Sequence, residues 1–402
     1  MLKIPYFLQE DDYLQNPIIK RFLKENDIQS LETKADFINS ITQFANKCSE
    51  NEEKVGNWLI KVAKEGTKEM CYRKVHNIPE IYHNSDMVGL KIKEIFPDCP
   101  DKNIINYRNT EETTLIGYDV ISEGDEVRRL VFTFSGLFLK GKAGEFGEDT
   151  VFPVYVEVYL REGFVVSRAK AKSTLYRYNE KNKFLINESR IDTMVHATEL
   201  IDEVIEKLGL EAEKDLRHEQ NAVSQMLYNV YQHFTFTPLD VETRVKSQEQ
   251  IIETYINQLF SNLNLNATNK PKALIDARIL AEKFISINGD NEDIFKKDRK
   301  AYLIKITSDD DLALTKIDTS SEKTIPLQCT EAFFDSKKSV ISSKKCKRLH
   351  LVFKREDNKY FPSSNQLVVQ LGISNSHGYI KTMQYAEEID IQNVLQAVFT
   401  NY

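Results

Sequence analysis

The sequence predicts an α+β protein in which helices and mainly antiparallel strands occupy separate stretches of the chain. Between residues 113 and 187 the apolar residues recur at every second position, which is the period of a β-strand. On both sides of this stretch they recur at every third or fourth position, as in amphipathic helices. A polar, charged stretch at 288–299 then precedes a further set of strands. We expect a helical N-terminal module over 1–107, an antiparallel sheet with covering helices over 108–290, and a separate C-terminal α+β module over 291–402.

Composition places the chain among ordinary soluble proteins. Its 402 residues are 41% hydrophobic and 29% charged, and no apolar run approaches the ~20 residues that span a bilayer. The N-terminal residues lack the order of a secretory signal, and the five cysteines show no CxxC pair. We therefore expect a cytoplasmic protein with reduced thiols and no membrane contact. The net charge of −7 means that a nucleic acid would have to bind at a local basic patch.

The first hundred residues show helical periods. Pro17 is suited to the first turn of a helix, and a second helix enters at 31–33. A third carries Trp58, the only tryptophan, on its apolar face and stops near Gly66. We expect Trp58 to lie in the core.

Residues 18–45 resemble a SAP motif, a short helix-turn-helix module that binds DNA. The matching residues are Phe22, Leu23 and Lys24 in the first helix, Ile28 in the turn, and Lys34, Ala35, Asp36, Phe37, Ile38 and Ile41 in the second helix. The resemblance covers about thirty residues and implies DNA binding by this segment. A plain helical hairpin with a shared apolar face is the alternative.

A β-hairpin over 151–178 is the clearest signal in the chain. Alternation places Val154, Val156 and Val158 on one face of the hairpin. A two-residue turn at 162–163 would place Glu157 opposite Arg168. The other face then carries a set of tyrosines and cations, namely Tyr155, Tyr159, Arg168, Lys170, Lys172 and Tyr176.

This second face is the first candidate for nucleic-acid binding. Alternate residues on a strand are about 6.6 Å apart, which is close to the spacing of phosphates along a nucleic-acid strand. Tyrosines between such cations can stack on bases. The alternative is an ordinary solvent-facing sheet surface, and both interpretations place these side chains in water.

After Arg190 the period becomes helical again. Asp192 or Thr193 caps a helix that ends at Gly209, and further helices are expected over 222–234, 251–263 and 273–287, where they would cover the apolar face of the sheet. Beyond 299 the sequence predicts five strands and a last helix that begins near Asp390. A second basic cluster lies on a predicted loop that enters one of these strands; it comprises Lys337, Lys338, Lys344, Lys345, Lys347 and Arg348.

The sequence shows no familiar catalytic or metal-binding motif. The histidines and cysteines have no ligand spacing, and no GxSxG or phosphate-binding glycine loop occurs. A metal-dependent nuclease would need two acids and a lysine around a metal, for which Asp149, Glu157 and Lys170 are the nearest candidates. Glu157 lacks the lysine two positions later and is more simply an ion-pair partner of Arg168.

These observations favour a non-catalytic protein that binds nucleic acid, most readily DNA, as an accessory factor in DNA transactions or in defence against foreign DNA. We expect no cofactor and no metal. A metal-dependent nuclease and a protein-interaction scaffold are the alternatives, and a protein partner or self-association would fit either the main interpretation or the scaffold.

Overall fold

A computed structural model describes residues 2–29, 32–171, 175–288, 292–310, 315–355 and 365–402 of the chain. Helices account for 46% of it and strands for 25%, and the strands form a largely antiparallel sheet, so the predicted α+β class is confirmed. The helices are α1 (Asn16–Glu25), α2 (Lys34–Ala45), α3 (Ser49–Lys64), α4 (Ser85–Ile95), α5 (Thr193–Leu208), α6 (Leu216–Phe234), α7 (Leu239–Ser247), α8 (Glu249–Asn262), α9 (Lys270–Ile287), α10 (Glu292–Lys296), α11 (Glu331–Ser343) and α12 (Glu388–Thr400).

The described strands lie between residues 68 and 382 of the chain. They are β1 (Lys68–His76), β2 (Thr114–Glu123), β3 (Glu126–Ser135), β4 (Leu137–Lys140), β5 (Glu148–Val151), β6 (Val154–Tyr159), β7 (Phe164–Lys170), β8 (Leu175–Arg177), β9 (Glu211–Ala212), β10 (Ala301–Asp310), β11 (Thr315–Ser320), β12 (Arg348–Lys354), β13 (Gln366–Ser374) and β14 (His377–Thr382).

The chain divides into two compact units. Unit 1 comprises Met1–Gln220, Arg355–Leu367 and Ser374–Phe399. Unit 2 comprises Asn221–Lys354, Val368–Ile373 and Thr400–Tyr402. This division differs from the three modules that the sequence suggests. The expected helical module over 1–107 contains β1, which pairs with β7 of the hairpin and therefore shares its sheet.

Unit 1 is built on an antiparallel sheet in the order β14-β1-β7-β6-β3-β2. In the β6–β7 hairpin Tyr155 lies opposite Arg168 and Tyr159 lies opposite Phe164, so four residues form the turn. The predicted two-residue turn is wrong, and the register differs from the expected one by two residues. A shift of two leaves every side chain on its own face, which is why the predicted faces agree with the pairing.

Helices cover both faces of this sheet. The valine face packs against α4 and α5 in a continuous apolar core. The opposite face meets a second core, to which α1, α2 and α3 contribute. The helices predicted over 222–234, 251–263 and 273–287 were expected to cover the valine face, but they fall in α6, α8 and α9 and belong to unit 2.

The ends of two covering helices and the position of the tryptophan agree with the sequence-based expectations. Thr33 caps α2 through a reciprocal pair of hydrogen bonds with Asp36. Asp192 accepts hydrogen bonds at the start of α5, and Gly209 ends that helix in the left-handed conformation. Trp58 is buried and stacks on Phe22 at a ring-centroid distance of 4.2 Å, as expected for a core residue.

Unit 2 contains strands in the order β11-β10-β12-β13 together with α7–α11 and most of α6. Aromatic contacts join α6 to β12 and α11. The ring centroids of Phe234 and Phe353 of β12 are 5.9 Å apart, and those of Tyr231 and Phe333 of α11 are 6.3 Å apart. The buried Arg299 ties the end of α6 to the sheet because its Nη1 donates to the carbonyl oxygen of Phe234 at 2.8 Å. Helix α11 is absent from the sequence-based expectation, which places a loop there.

Candidate nucleic-acid interface

The tyrosine and cation face of the hairpin is buried within unit 1. Arg168 is 0% exposed and Lys170 is 2% exposed, and Tyr155, Tyr159 and Tyr176 are buried as well. The expectation that this face lies in water is therefore wrong. Lys172 lies outside the described residues.

The covering elements explain this burial. Tyr155 lies in the core to which α1–α3 contribute. The ring of Tyr159 packs against the ring of Phe399 in α12, with the two ring centroids 5.0 Å apart. Phe164 stacks on the same ring at 4.3 Å. An antiparallel sheet usually leaves one face in water, but here helices from the two ends of unit 1 enclose it.

The charges on this face form an ion network instead of a binding platform. The Glu157 carboxylate accepts from Arg168 at 2.9 Å, from Arg129 at 3.1 Å and from the Tyr159 hydroxyl at 2.6 Å. Arg168 also donates to Glu388 of α12 at 2.5 Å. Burial alone would raise the pKa of Glu388, but the two arginines lower it to about 2. The predicted ion pair between Glu157 and Arg168 is thus present, within a larger network.

A second buried cation lies beside this network. Lys68 donates from Nζ to the carbonyl oxygen of Ala63 at 2.6 Å. Burial, followed by the charges of Lys170 and Arg168, lowers the pKa of Lys68 well below its usual value. The ammonium of Lys170 lies 5.0 Å from the ring centroid of Tyr13. These contacts give the hairpin cations a structural role and leave them out of reach of a polyanion.

The residues proposed for a nuclease centre are held in other contacts. Asp149 lies on β5 and pairs with Lys183 at 2.6 Å. Glu157 is enclosed by two arginines, and Lys170 is buried. Among the described residues, no group of three or more His, Cys, Asp or Glu side chains is arranged to hold a metal ion.

One cleft of unit 1 brings a hydroxyl near an imidazole. This cleft has a volume of about 430 Å³ and is lined by Thr113, His196 and Glu199 among others. Thr113 Oγ1 lies 3.2 Å from His196 Nε2, and burial lowers the pKa of His196. The Nδ1 atom of His196 lies 3.8 Å from Glu199, which is beyond a hydrogen bond. The cleft therefore lacks the carboxylate contact that orients the base in a nucleophile–base–acid set.

The second basic cluster is exposed, and it lies in unit 2. We define the basic loop as Lys344, Lys345, Lys347 and Arg348, all of which are exposed. Lys344 ends α11 with a φ of 52°, and Arg348 begins β12. The chain thus turns sharply between a helix and a strand, and four cations project within five residues.

Two other members of the predicted cluster lie elsewhere. Lys337 and Lys338 are on α11 and not on a loop, which corrects the sequence-based placement. Lys337 pairs with Glu282 at 2.7 Å, and Lys338 pairs with Asp276 at 2.8 Å. Both lysines therefore form ion pairs with acidic residues of α9.

The basic loop is held to the rest of unit 2 by its backbone. Lys347 donates from its amide to the carbonyl oxygen of Thr307 at 2.9 Å, and Ser308 Oγ donates to the carbonyl oxygen of Lys345 at 2.6 Å. On the other side, Ser224 Oγ of α6 donates to the carbonyl oxygen of Cys346 at 3.0 Å. Because β10 and α6 both hold the backbone of the loop, the points at which its four cations leave the backbone are fixed.

A half-buried histidine lies beside the basic loop on β12. His350 lies opposite Lys305 in the β10–β12 pair, and Arg348 lies opposite Thr307 two positions away. Burial, followed by the charges of Lys305 and Arg348, lowers the pKa of His350 to about 4. Lys305 and Arg348 flank His350 on this face of the sheet, and Lys305 also pairs with Asp318 at 2.9 Å. Sequence inspection missed Lys305 and His350, since only strand pairing brings them to the loop.

Comparisons of the chain with protein families, with curated proteins and with solved structures found no match. Within the described part of the chain, no helix is both long enough and apolar enough to cross a bilayer. The functional proposal therefore depends on the chemistry of the chain's own residues.

Proposed function

We propose that this chain is a non-catalytic nucleic-acid-binding protein and that the basic loop of unit 2 is its interface. The observation that carries the proposal is the exposure of four cations within five residues, on a backbone that β10 and α6 hold in place. Phosphate groups supply most of the affinity of such contacts, because each neutralised phosphate releases a condensed counterion. A chain with a net charge of −7 depends on such a local patch.

The first candidate face does not support this proposal, whereas the N-terminal segment supports DNA as the ligand. The side chains of Arg168 and Lys170 are enclosed, so they cannot meet a phosphate without unfolding of unit 1. The residues that carry the resemblance to a SAP motif lie on α1 and α2, apart from Ile28 between them. The proposal therefore names DNA as the nucleic acid and the basic loop as the principal contact.

The test is the replacement of all four loop cations by glutamine in the full chain. Fluorescence anisotropy with a labelled DNA duplex then gives the affinity over a series of salt concentrations. Each phosphate contact contributes a slope of about −0.9 in the logarithmic salt plot, so four lost contacts reduce the slope by up to about 3.6. Because the four side chains are exposed, circular dichroism should show an unchanged fold.

A matched control separates the loop from general charge. Lys47, Lys54, Lys93 and Lys181 are exposed cations of unit 1, and their replacement by glutamine changes the net charge by the same amount. This control should bind DNA with a nearly unchanged salt slope. If the loop variant binds as tightly as the wild-type chain, or if the control loses as much affinity, the basic loop is not the interface.

A further inference from the structure

The cleft around Thr113 and His196 in unit 1 has the size of a small-molecule site. Its volume is about 430 Å³. Proteins hold small ligands in clefts of roughly 300–1,000 Å³. Residues from the N-terminal half of α5, from β4, from the end of β8 and from the segment 111–113 line it. The cleft takes no part in the proposed binding of DNA, because the basic loop lies in unit 2.

Part of the cleft lining is apolar. Leu137 and Phe138 of β4 line the cleft, and so does the half-buried Tyr178. Val195 of α5 lines it as well and is 39% exposed. The rings of Phe138 and His196 make a T-shaped contact with their centroids 5.7 Å apart. An apolar group of a ligand that enters the cleft would therefore leave water, which favours binding.

Charges of both signs lie near the imidazole of His196. Burial lowers the pKa of His196, and beyond burial Glu199 raises this pKa whereas Arg177 lowers it. The carboxylate of Glu199 lies 3.8 Å from Nδ1 of His196. Because the pKa of His196 is lowered from 6.5, its imidazole is neutral at pH 7. The cleft thus places a cation and an anion on opposite sides of the charge balance around one neutral ring.

These two charges are available to a ligand. Within the described part of the chain, the side chain of Arg177 forms no ion pair, and Glu199 approaches only the neutral His196, beyond hydrogen-bond distance. The carboxylate of Asp192 is in a different position, since it accepts from the amides of Met194 and Val195 at the start of α5. A ligand can therefore meet Arg177 and Glu199 without displacing an existing ion pair.

The charges of the lining argue against two simpler classes of ligand. Four acidic residues and two arginines line the cleft, namely Glu111, Glu112, Asp192, Glu199, Arg177 and Arg190. A simple anion would be repelled by this excess of negative charge. A simple cation would leave the guanidinium of Arg177 beside a like charge. A ligand with one charge of each sign and an apolar group matches the whole lining.

We propose that this cleft binds a free α-amino acid with an apolar side chain, with its carboxylate on Arg177, its ammonium on Glu199 and its side chain on the apolar lining. An α-amino acid carries both charges on one carbon atom, beside its side chain. A guanidinium suits a carboxylate because its donors form two parallel hydrogen bonds. An internal residue of a peptide lacks both charges, so the ligand is the free amino acid.

The experiment is isothermal titration calorimetry of the full chain with L-phenylalanine and with L-leucine. We expect a dissociation constant of about 1 mM or lower. Three analogues each lack one of the matching groups: 3-phenylpropionate lacks the ammonium, phenethylamine lacks the carboxylate, and glycine lacks the apolar side chain. Each analogue should bind at least about tenfold more weakly than L-phenylalanine, because one favourable contact is lost.

Two variants assign the charged contacts. Arg177→Gln and Glu199→Gln should each raise the dissociation constant of L-phenylalanine at least about tenfold. Arg177→Gln should not weaken phenethylamine, which has no carboxylate, and Glu199→Gln should not weaken 3-phenylpropionate, which has no ammonium. A general disturbance of the cleft would weaken all three ligands. Both replaced side chains are exposed, so circular dichroism should match that of the wild type.

The matched controls are Arg161→Gln and Glu206→Gln, which remove exposed charges of unit 1 outside the cleft. Both should bind L-phenylalanine as the wild type does. If neither L-phenylalanine nor L-leucine binds at up to about 10 mM, the proposal is wrong. Equal binding of the analogues, or an equal loss of affinity in the controls, would also overturn it. The titration contains no DNA, so its outcome is separate from that of the DNA-binding test.

Discussion

Replacement of Arg168 tests whether the hairpin cations stabilise the fold. Arg168→Met keeps an unbranched apolar stem and removes the charge that Glu157 and Glu388 share. Removal of one partner from a buried ion pair typically costs 3–5 kcal/mol. Glu157 retains Arg129 and the Tyr159 hydroxyl, so we expect a loss near the lower end, about 3 kcal/mol.

The assay is urea unfolding followed by the fluorescence of Trp58, which lies in the core of unit 1. The control is Arg128→Met, because Arg128 precedes Arg129 on the same strand but pairs only with the exposed Glu123 and Glu126 among the described residues. Such surface pairs contribute up to about 1 kcal/mol. If Arg168→Met costs less than about 1 kcal/mol, or no more than Arg128→Met, the network does not stabilise unit 1 as we infer.

The same variant has a predictable dependence on pH. The pKa of Glu388 is lowered from 4.5 to about 2 in the folded protein, mainly by Arg168 among the groups that favour its charged form. A group with a lowered folded pKa stabilises the fold above its unfolded pKa and loses this contribution as the pH falls to the folded value. The difference in stability between the wild type and Arg168→Met should therefore narrow between pH 4.5 and pH 2.

Two further predictions concern other parts of the structure. A Cβ atom at Gly378 would lie 2.0 Å from the ring of Tyr72, so Gly378→Ala should destabilise unit 1 by about 1–3 kcal/mol in the same urea assay. Gly56 lies in open space within α3, so Gly56→Ala should stabilise unit 1 by up to about 1 kcal/mol. Equal effects of the two substitutions would contradict this packing. Burial, followed by the charges of Lys305 and Arg348, lowers the pKa of His350 to about 4, so this pKa should rise in Arg348→Gln, as measured by proton NMR titration, because one neighbouring cation is removed. Since the folded pKa of His350 is lowered, its neutral form stabilises the fold above pH 6.5, and this contribution to stability is lost as the pH falls to 4. An unchanged pKa of His350 in Arg348→Gln would show that the charge of Arg348 does not act on His350.

Local patterns predicted the class of the fold and the two faces of the hairpin. The period of two in 151–178 fixes which side chains share a face, whatever the register, and the observed shift of two residues leaves those faces unchanged. The caps of α5 are also local, because Asp192, which accepts hydrogen bonds at its start, and Gly209, whose amide donates at its end, are both adjacent to the helix.

Contacts between distant parts of the chain decided what the sequence did not show. The burial of Arg168 depends on helices that are far from it in the chain, and a cation on a strand has the same local pattern in water or in an ion network. Strand β1 was missed because both its faces are largely covered, so its sequence does not alternate. The basic loop was predicted from its charge, but its exposure and its neighbour His350 follow from the pairing of β10 with β12.

The pairing of β1 with β14 has a consequence for synthesis on the ribosome. Cys71 of β1 lies opposite Tyr379 of β14, so the first unit cannot complete its sheet until residues 377–382 have left the exit tunnel. Residues 221–354 of the second unit are contiguous and emerge earlier. A nascent chain halted before residue 377 would expose the edge of β1 and lack α12 over the charged network, which is the kind of open strand edge that invites aggregation. Termination before residue 377 should therefore be harmful to unit 1, although residues 1–220 of that unit have already been made.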